Sequence, residues 1–390
     1  MSGGIERVPS CTVSHGPGSR LEDSKQVVPC LSPYPQGRQG HWKVTAWAIG
    51  LASRGIVLAC VSVLGLLCPA AGDDAWPLDN PAGVKRRATP HTVTALAISR
   101  DGESLVAASS HELTVYSTAT LEPAGGRQLE ISHIHEVRFL PRGNQLLVAG
   151  GIPGESGMVI LLAWPSLDLL SARSYHADVV YACDVRSDRP ELVLASADHR
   201  VSRWRLASNG SAIDQEPFAV LQGHSRAVLA AVYLANSSLI VSAGVDQTLR
   251  VWDPNDNQLQ RLLDNHTATV RDLAARPFAT EPPGSGLPLV ASASADRTVR
   301  FWQPTIGRLV RFLKLDTEPT CLAWSTDGVQ LAVGAIDGRL RLIDPESLRI
   351  LADQTVGTGW LYDVVASPTA PQKYFVAGED GLAAVTSVTP

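Results

Sequence analysis

Beyond Asp73 the hydrophobic positions fall in short runs rich in Val, Leu, Ile and Ala, separated by Gly, Asp, Asn, Pro and Ser, and no run sustains a helical period. The pattern predicts short strands joined by tight turns. It also repeats. Residues 223–228 read GHSRAV and are followed by LIVSAGVDQTLRVWD, while residues 265–270 read NHTATV and are followed by LVASASADRTVRFWQ. In both stretches a histidine comes first (His224, His266), a serine (Ser242, Ser292) precedes an aspartate by four residues (Asp246, Asp296), and a tryptophan (Trp252, Trp302) follows the aspartate by six. Self-similarity at this spacing predicts a repeat architecture, each unit one supersecondary element that buries its faces against its neighbours.

Used as a ruler, the unit recurs along the chain. A first copy runs from His91 through ALAISRDGESLVAAS to Tyr116, with Asp101-Gly102 as a hairpin turn. A second contains EVRFLPRGNQLLVAGG and ends at Trp164, and a third opens at His176, passes Asp198 and closes at Trp204. The two clear copies are the fourth and fifth, the fifth with an insertion near Thr280 to Gly286. The sixth carries Asp337, with Ile343 in place of tryptophan, and the seventh carries Asp380. Seven units of about 43 residues account for everything from His91 onward.

These residues resemble the WD-repeat family, whose hallmark is a GH near the start of each repeat and a WD at the end of its third strand. Gly223-His224 and Trp252-Asp253 match both. The resemblance implies an all-β fold: a single seven-bladed β-propeller of four-stranded antiparallel blades over residues 83–390. It also implies a structural hydrogen-bond network at His224, Ser242, Asp246 and Trp252 and at His266, Ser292, Asp296 and Trp302. Histidine, serine and aspartate together also suggest a catalytic triad, but repetition of the set across blades favours scaffold. The seventh unit ends too near the C-terminus to supply a fourth strand, so residues 83–89 (GVKRRAT) are expected to close the ring by completing that blade, leaving no bare edge.

The N-terminal portion reads differently. Residues 1–43 are rich in Gly, Pro, Ser and charge and are expected to be disordered or a non-native extension. An uncharged run from Gly55 to Leu67 follows Arg54, with Ala70 and Gly72 suited to cleavage, so residues 44–72 are expected to be a signal peptide, and 73–82 a linker. An uncleaved anchor through residues 44–71, or lipidation at Cys60 or Cys68, are the alternatives. The implied location is outside the cytoplasm, periplasmic or at the cell surface, and the chain resembles exported bacterial members of the family. Four of the six cysteines (Cys11, Cys30, Cys60, Cys68) lie in this portion, and Cys183 and Cys321 fall in non-adjacent repeats, where a bridge is not expected.

Composition narrows function. A net charge of −5 leaves no basic footprint for nucleic acid, and the absence of CxxCH removes a covalent c-type haem. No cofactor is expected. A propeller serves many activities, so function must come from a site. The innermost strands are expected to open at Val93, Ile134, Val180, Val228, Val270, Pro319 and Leu361. The rim and channel mouth would then display His133, His135, Tyr181, Arg226, Arg271, Glu318, Trp360 and Tyr362, which include the residue types that anchor protein interfaces. The expectation is a non-catalytic, monomeric protein-interaction scaffold with a protein partner. Two alternatives stand beside it: a propeller hydrolase with a channel metal held by carboxylates such as Glu318, Asp272 and Asp363, or by His133 and His135, and an accessory subunit of an exported redox system.

Overall fold

The computed structural model describes residues 83–89, 91–186, 188–207, 210–234, 239–277 and 288–386. The expectations for residues 1–43, 44–72 and 73–82, and for the insertion at 280–286, lie outside the described residues. Within them the chain is all-β, a seven-bladed propeller of four-stranded antiparallel sheets. The inner strands are Ala95–Ile98, His133–Phe139, Val180–Val185, Val228–Tyr233, Val270–Ala275, Pro319–Trp324 and Leu361–Ala366. Five open where the sequence places them. The first begins two residues later than Val93 and the second one residue earlier than Ile134.

In six blades the four strands are consecutive in sequence. The seventh takes its outermost strand from the other end of the chain: Val84–Arg87 pairs antiparallel with Gly381–Thr386, Val84 opposite Val385 and Arg87 opposite Leu382. Gly83 sits at φ +99°, where a side chain would press on the Thr386 carbonyl oxygen at 2.9 Å. A glycine therefore suits the entry to this strand.

The strands read as nearly continuous apolar runs because each blade is covered on both faces. Alternate residues of one strand serve opposite seams. In Ser104–Ser109, Leu105 and Ala107 pack with Phe375, Ala377 and Leu382 of blade 7, whereas Val106 and Ala108 pack with Ile134, Val137 and Val148 of blade 2. Among the described residues the core divides into seven such clusters, one per seam, including the seam between blades 7 and 1. Cys183 and Cys321 are free thiols buried in two different seams.

Candidate functional site

Blades 4 and 5 contain the residue sets singled out by the repeat. Asp246 Oδ2 lies 2.8 Å from His224 Nδ1, Ser242 Oγ lies 2.8 Å from His224 Nε2, and Trp252 Nε1 donates to Ser242 Oγ at 2.8 Å. His266, Asp296, Ser292 and Trp302 repeat the arrangement at 2.7, 2.8 and 2.8 Å. One proton assignment satisfies every group: tryptophan donates to serine, serine to histidine Nε2, and histidine Nδ1 to aspartate. The order of serine, histidine and aspartate is that of a hydrolytic triad, but Ser242 and Ser292 are 0% exposed and each hydroxyl already accepts from an indole. No substrate reaches them. The bonds from histidine and from backbone and threonine donors outweigh the cost of burial and hold the carboxyls of Asp246 and Asp296 at about 2.

Blade 3 has the same network with one residue moved. His176 bonds Asp198 at 2.8 Å, and its Nε2 meets Ser202 Oγ at 2.7 Å, to which Trp204 Nε1 donates. Ser202 lies on the third strand opposite Leu194, whereas Ser242 and Ser292 lie on the second strand opposite Arg250 and Arg300. Directly opposed residues share a face, so the hydroxyl reaches the same histidine from either strand. A search for serine four residues before the aspartate misses Ser202. The sequence signal is a serine two residues before the tryptophan.

The channel mouth is built by a bulge. In six blades the pairing of inner and second strands slips near the start of the inner strand, between its first and third positions in five and between the second and fourth in blade 2. The residue between them is His135, Tyr181, Leu229, Arg271, Thr320 or Tyr362, and a bulge re-aims the side chain it carries. Two groups form. In blades 2 and 3 the rings of His133 and His135 stack 6.2 Å apart, and His135 lies 4.8 Å from Tyr181. Burial, then the neighbouring His133, push His135 down to about 4. In blades 5, 6 and 7, Arg271 pairs with Glu318 at 2.7 Å and its guanidinium lies 5.0 Å from the centre of the Trp360 ring. Trp360 and Tyr362 are 6.3 Å apart, and the Tyr362 hydroxyl donates to Glu379 at 3.2 Å. Arg226 is exposed, and among the described residues no ring contact or ion pair joins it to either group.

The WD domain, G-beta repeat model matches residues 215–253, 257–303 and 307–344, from the outer strand of blade 3 to the third strand of blade 6. These three stretches carry WD repeats. Over 115 residues it is 32% identical to Striatin-3 of Homo sapiens, and over 76 residues 36% identical to E3 ubiquitin-protein ligase COP1 of Arabidopsis thaliana. Over 90 residues it is 31% identical to Nuclear distribution protein nudF 2 of Penicillium rubens. These matches cover 25%, 20% and 23% of this chain and 14%, 10% and 17% of those proteins, so the chain spans a small fraction of the relatives' length.

Below the mouth, the propeller has a cavity of about 690 Å³, walled by the distal halves of the inner strands. Carboxylates there tie neighbouring blades: Asp184 accepts from Tyr233 N, Asp272 from Leu322 N and Asp363 from Leu96 N, each at 2.7 Å. Arg138 bridges Asp184 at 2.8 Å and Glu136 at 3.1 Å. Burial raises Asp272 to about 7, and burial together with the fields of Glu136 and Asp272 raises Asp363. Among the described residues no three His, Cys, Asp or Glu side chains come together as a metal site. Glu318 is engaged by Arg271, and both oxygens of Asp272 and of Asp363 accept backbone N–H groups. These carboxylates, each already engaged, do not fit the channel metal of the hydrolase alternative.

Proposed function

We propose that this chain is a non-catalytic interaction scaffold, exported from the cytoplasm and acting as a monomer, which binds a protein partner at the channel mouth. WD-repeat propellers generally bind protein partners. The observation that carries the reading is the cluster of Arg271, Glu318, Trp360 and Tyr362. Three successive blades contribute to it, its aromatic rings are only half-buried, and its residue types dominate binding energy at interfaces. Export rests on the apolar run from Gly55 to Leu67 and the small residues after it. An accessory role in a redox system would be one case of such contact, read from the identity of the partner.

The test is in-cell crosslinking and pull-down of the parent chain beside Trp360→Ala combined with Arg271→Ala. Loss of specific partners from the double variant is the expected result. Recovery of the same partners at equal yield would place the interface elsewhere. Fractionation of cells expressing the chain tests export, which predicts protein outside the cytoplasm and shortened by the leader.

A further inference from the structure

We propose, building on the channel-mouth reading, that the partner presents a basic side chain, and that Arg271 is a resident cation occupying part of the site meant for it. Arg271 reaches from blade 5 past blade 6 to lie over the Trp360 ring of blade 7, anchored by Glu318. A guanidinium over an indole face, with a carboxylate at its edge, is how a protein recognises an arginine from outside. Here the protein supplies that arginine itself. It is not fully held, because its buried Nε has no hydrogen-bond partner.

The carboxylate on the other side of the aromatic pair is Glu379. Glu379 is exposed and accepts from the Tyr362 hydroxyl, and among the described residues no Lys or Arg pairs with it. The loop before Trp360 leaves room for this carboxylate: a Cβ on Gly359 would lie 2.0 Å from Glu379 Oε2. Trp360 and Tyr362 thus stand between Glu318, which is paired with Arg271, and Glu379, which pairs with no Lys or Arg among the described residues. An incoming guanidinium or ammonium gains the aromatic face and the Glu379 carboxylate, and competes with Arg271 for the rest. Competition of this kind lowers apparent affinity by the fraction of time the site is self-occupied.

The test is calorimetric titration of the full chain with the acetylated, amidated peptide Gly-Gly-Arg-Gly-Gly and its citrulline counterpart, which keeps shape and removes charge. The arginine peptide should bind about 10-fold tighter than the citrulline peptide, and Glu379→Gln, an exposed change that leaves the fold intact, should remove most of that difference. Arg271→Ala should tighten binding by about 3- to 10-fold, whereas Trp360→Ala should abolish it. In the double variant of the pull-down the loss of Trp360 dominates. Equal binding of the two peptides, or no binding of either, would overturn the proposal. So would tight binding of Gly-Gly-Glu-Gly-Gly that Arg271→Ala removes, which would make Arg271 an anchor for acidic partners. Those outcomes leave the pull-down result standing, so failure of the basic-side-chain idea is distinct from failure of the channel-mouth reading.

Discussion

Blades 3, 4 and 5 and blades 6 and 7 solve one problem in two ways. All five place an aspartate in the turn between the second and third strands: Asp198, Asp246, Asp296, Asp337 and Asp380. The next residue must adopt a left-handed conformation. In blades 3, 4 and 5 it is His199, Gln247 or Arg297, at φ 72°, 67° and 65°, and in blades 6 and 7 it is Gly338 or Gly381, at φ 69° and 113°. Non-glycine residues pay about 1 kcal/mol or more for that region. Of these five, the blades that tolerate the strain are those whose aspartate is gripped by a buried histidine, whereas blade 1 places Ser110 at φ 48° in its turn without an aspartate. Blade 6 holds Asp337 through Arg341 at 2.7 Å, and blade 7 holds Asp380 through Thr358 at 2.9 Å. In these five blades the aspartate is therefore the constant of the turn, and histidine and glycine are alternative means of keeping its geometry.

The comparison breaks hardest at blade 7, which lacks the histidine and takes its outer strand from the other end of the chain. Val84 is 4% exposed and belongs to the core cluster between blades 6 and 7. Deleting residues 77–90 should bare the edge at Gly381–Thr386 and cost on the order of 5 kcal/mol, about 10–20 °C in melting temperature. A melting curve measured by circular dichroism decides it, and an unchanged midpoint would show that this strand adds little to the ring.

Next in size is Gly338→Ala. The new Cβ would lie 2.2 Å from the Gly357 carbonyl oxygen in a backbone at φ +69°. Steric overlap with backbone adds to the conformational cost, for a total of about 2–4 kcal/mol in denaturant titration. A cost under about 1 kcal/mol would mean that the glycine in blade 6 is not a structural requirement.

Much of this was readable from the sequence, and the reasons are physical. Strands buried on both faces leave unmistakable apolar runs, and the Asp, His and Trp spacings follow from the network that blades 3, 4 and 5 share. Ser202 escaped because two strands can present a hydroxyl to one point in space, which linear spacing cannot express. The bulged positions were legible as places, since His135, Tyr181, Arg271 and Tyr362 stand two residues beyond the expected rim. What joins them was not. Arg271, Glu318 and Trp360 are separated by 47 and 42 positions along the chain and meet only because consecutive blades wrap one channel. Arg226 looked equivalent to Arg271, but it stands before the bulge and remains on the exposed surface.

The histidine network should contribute less than the steric effects and should be pH-dependent. Replacing Asp296 by Asn, or Ser202 by Ala, leaves buried partners unsatisfied, at about 1–3 kcal/mol each. Asp246 and Asp296 have folded values near 2, below the ordinary 3.8. Their stabilisation is therefore complete above about pH 4 and is lost as pH falls through about 2. Melting temperatures of the parent and Asp296→Asn should differ most at pH 7 and converge toward pH 2. A gap that stays constant with pH would mean that the carboxylate charge is not what the network stabilises.

The smallest effect gives the sharpest view of the contrast between blades. Gln247→Gly removes the left-handed strain in blade 4 but adds flexibility to the unfolded chain, two terms of about 1 kcal/mol with opposite sign. Gln247 is exposed, so little packing is lost. The net change should stay within about 0.5 kcal/mol of zero, against several for the reverse exchange at Gly338. If His224→Ala is added, the glycine should become favourable, because the grip that sustained the strained residue has gone. A double-mutant cycle on His224 and Gln247 measures that coupling directly. Strict additivity would show that the histidine and the turn act independently, and that glycine in blades 6 and 7 answers only to local crowding such as the Gly357 carbonyl.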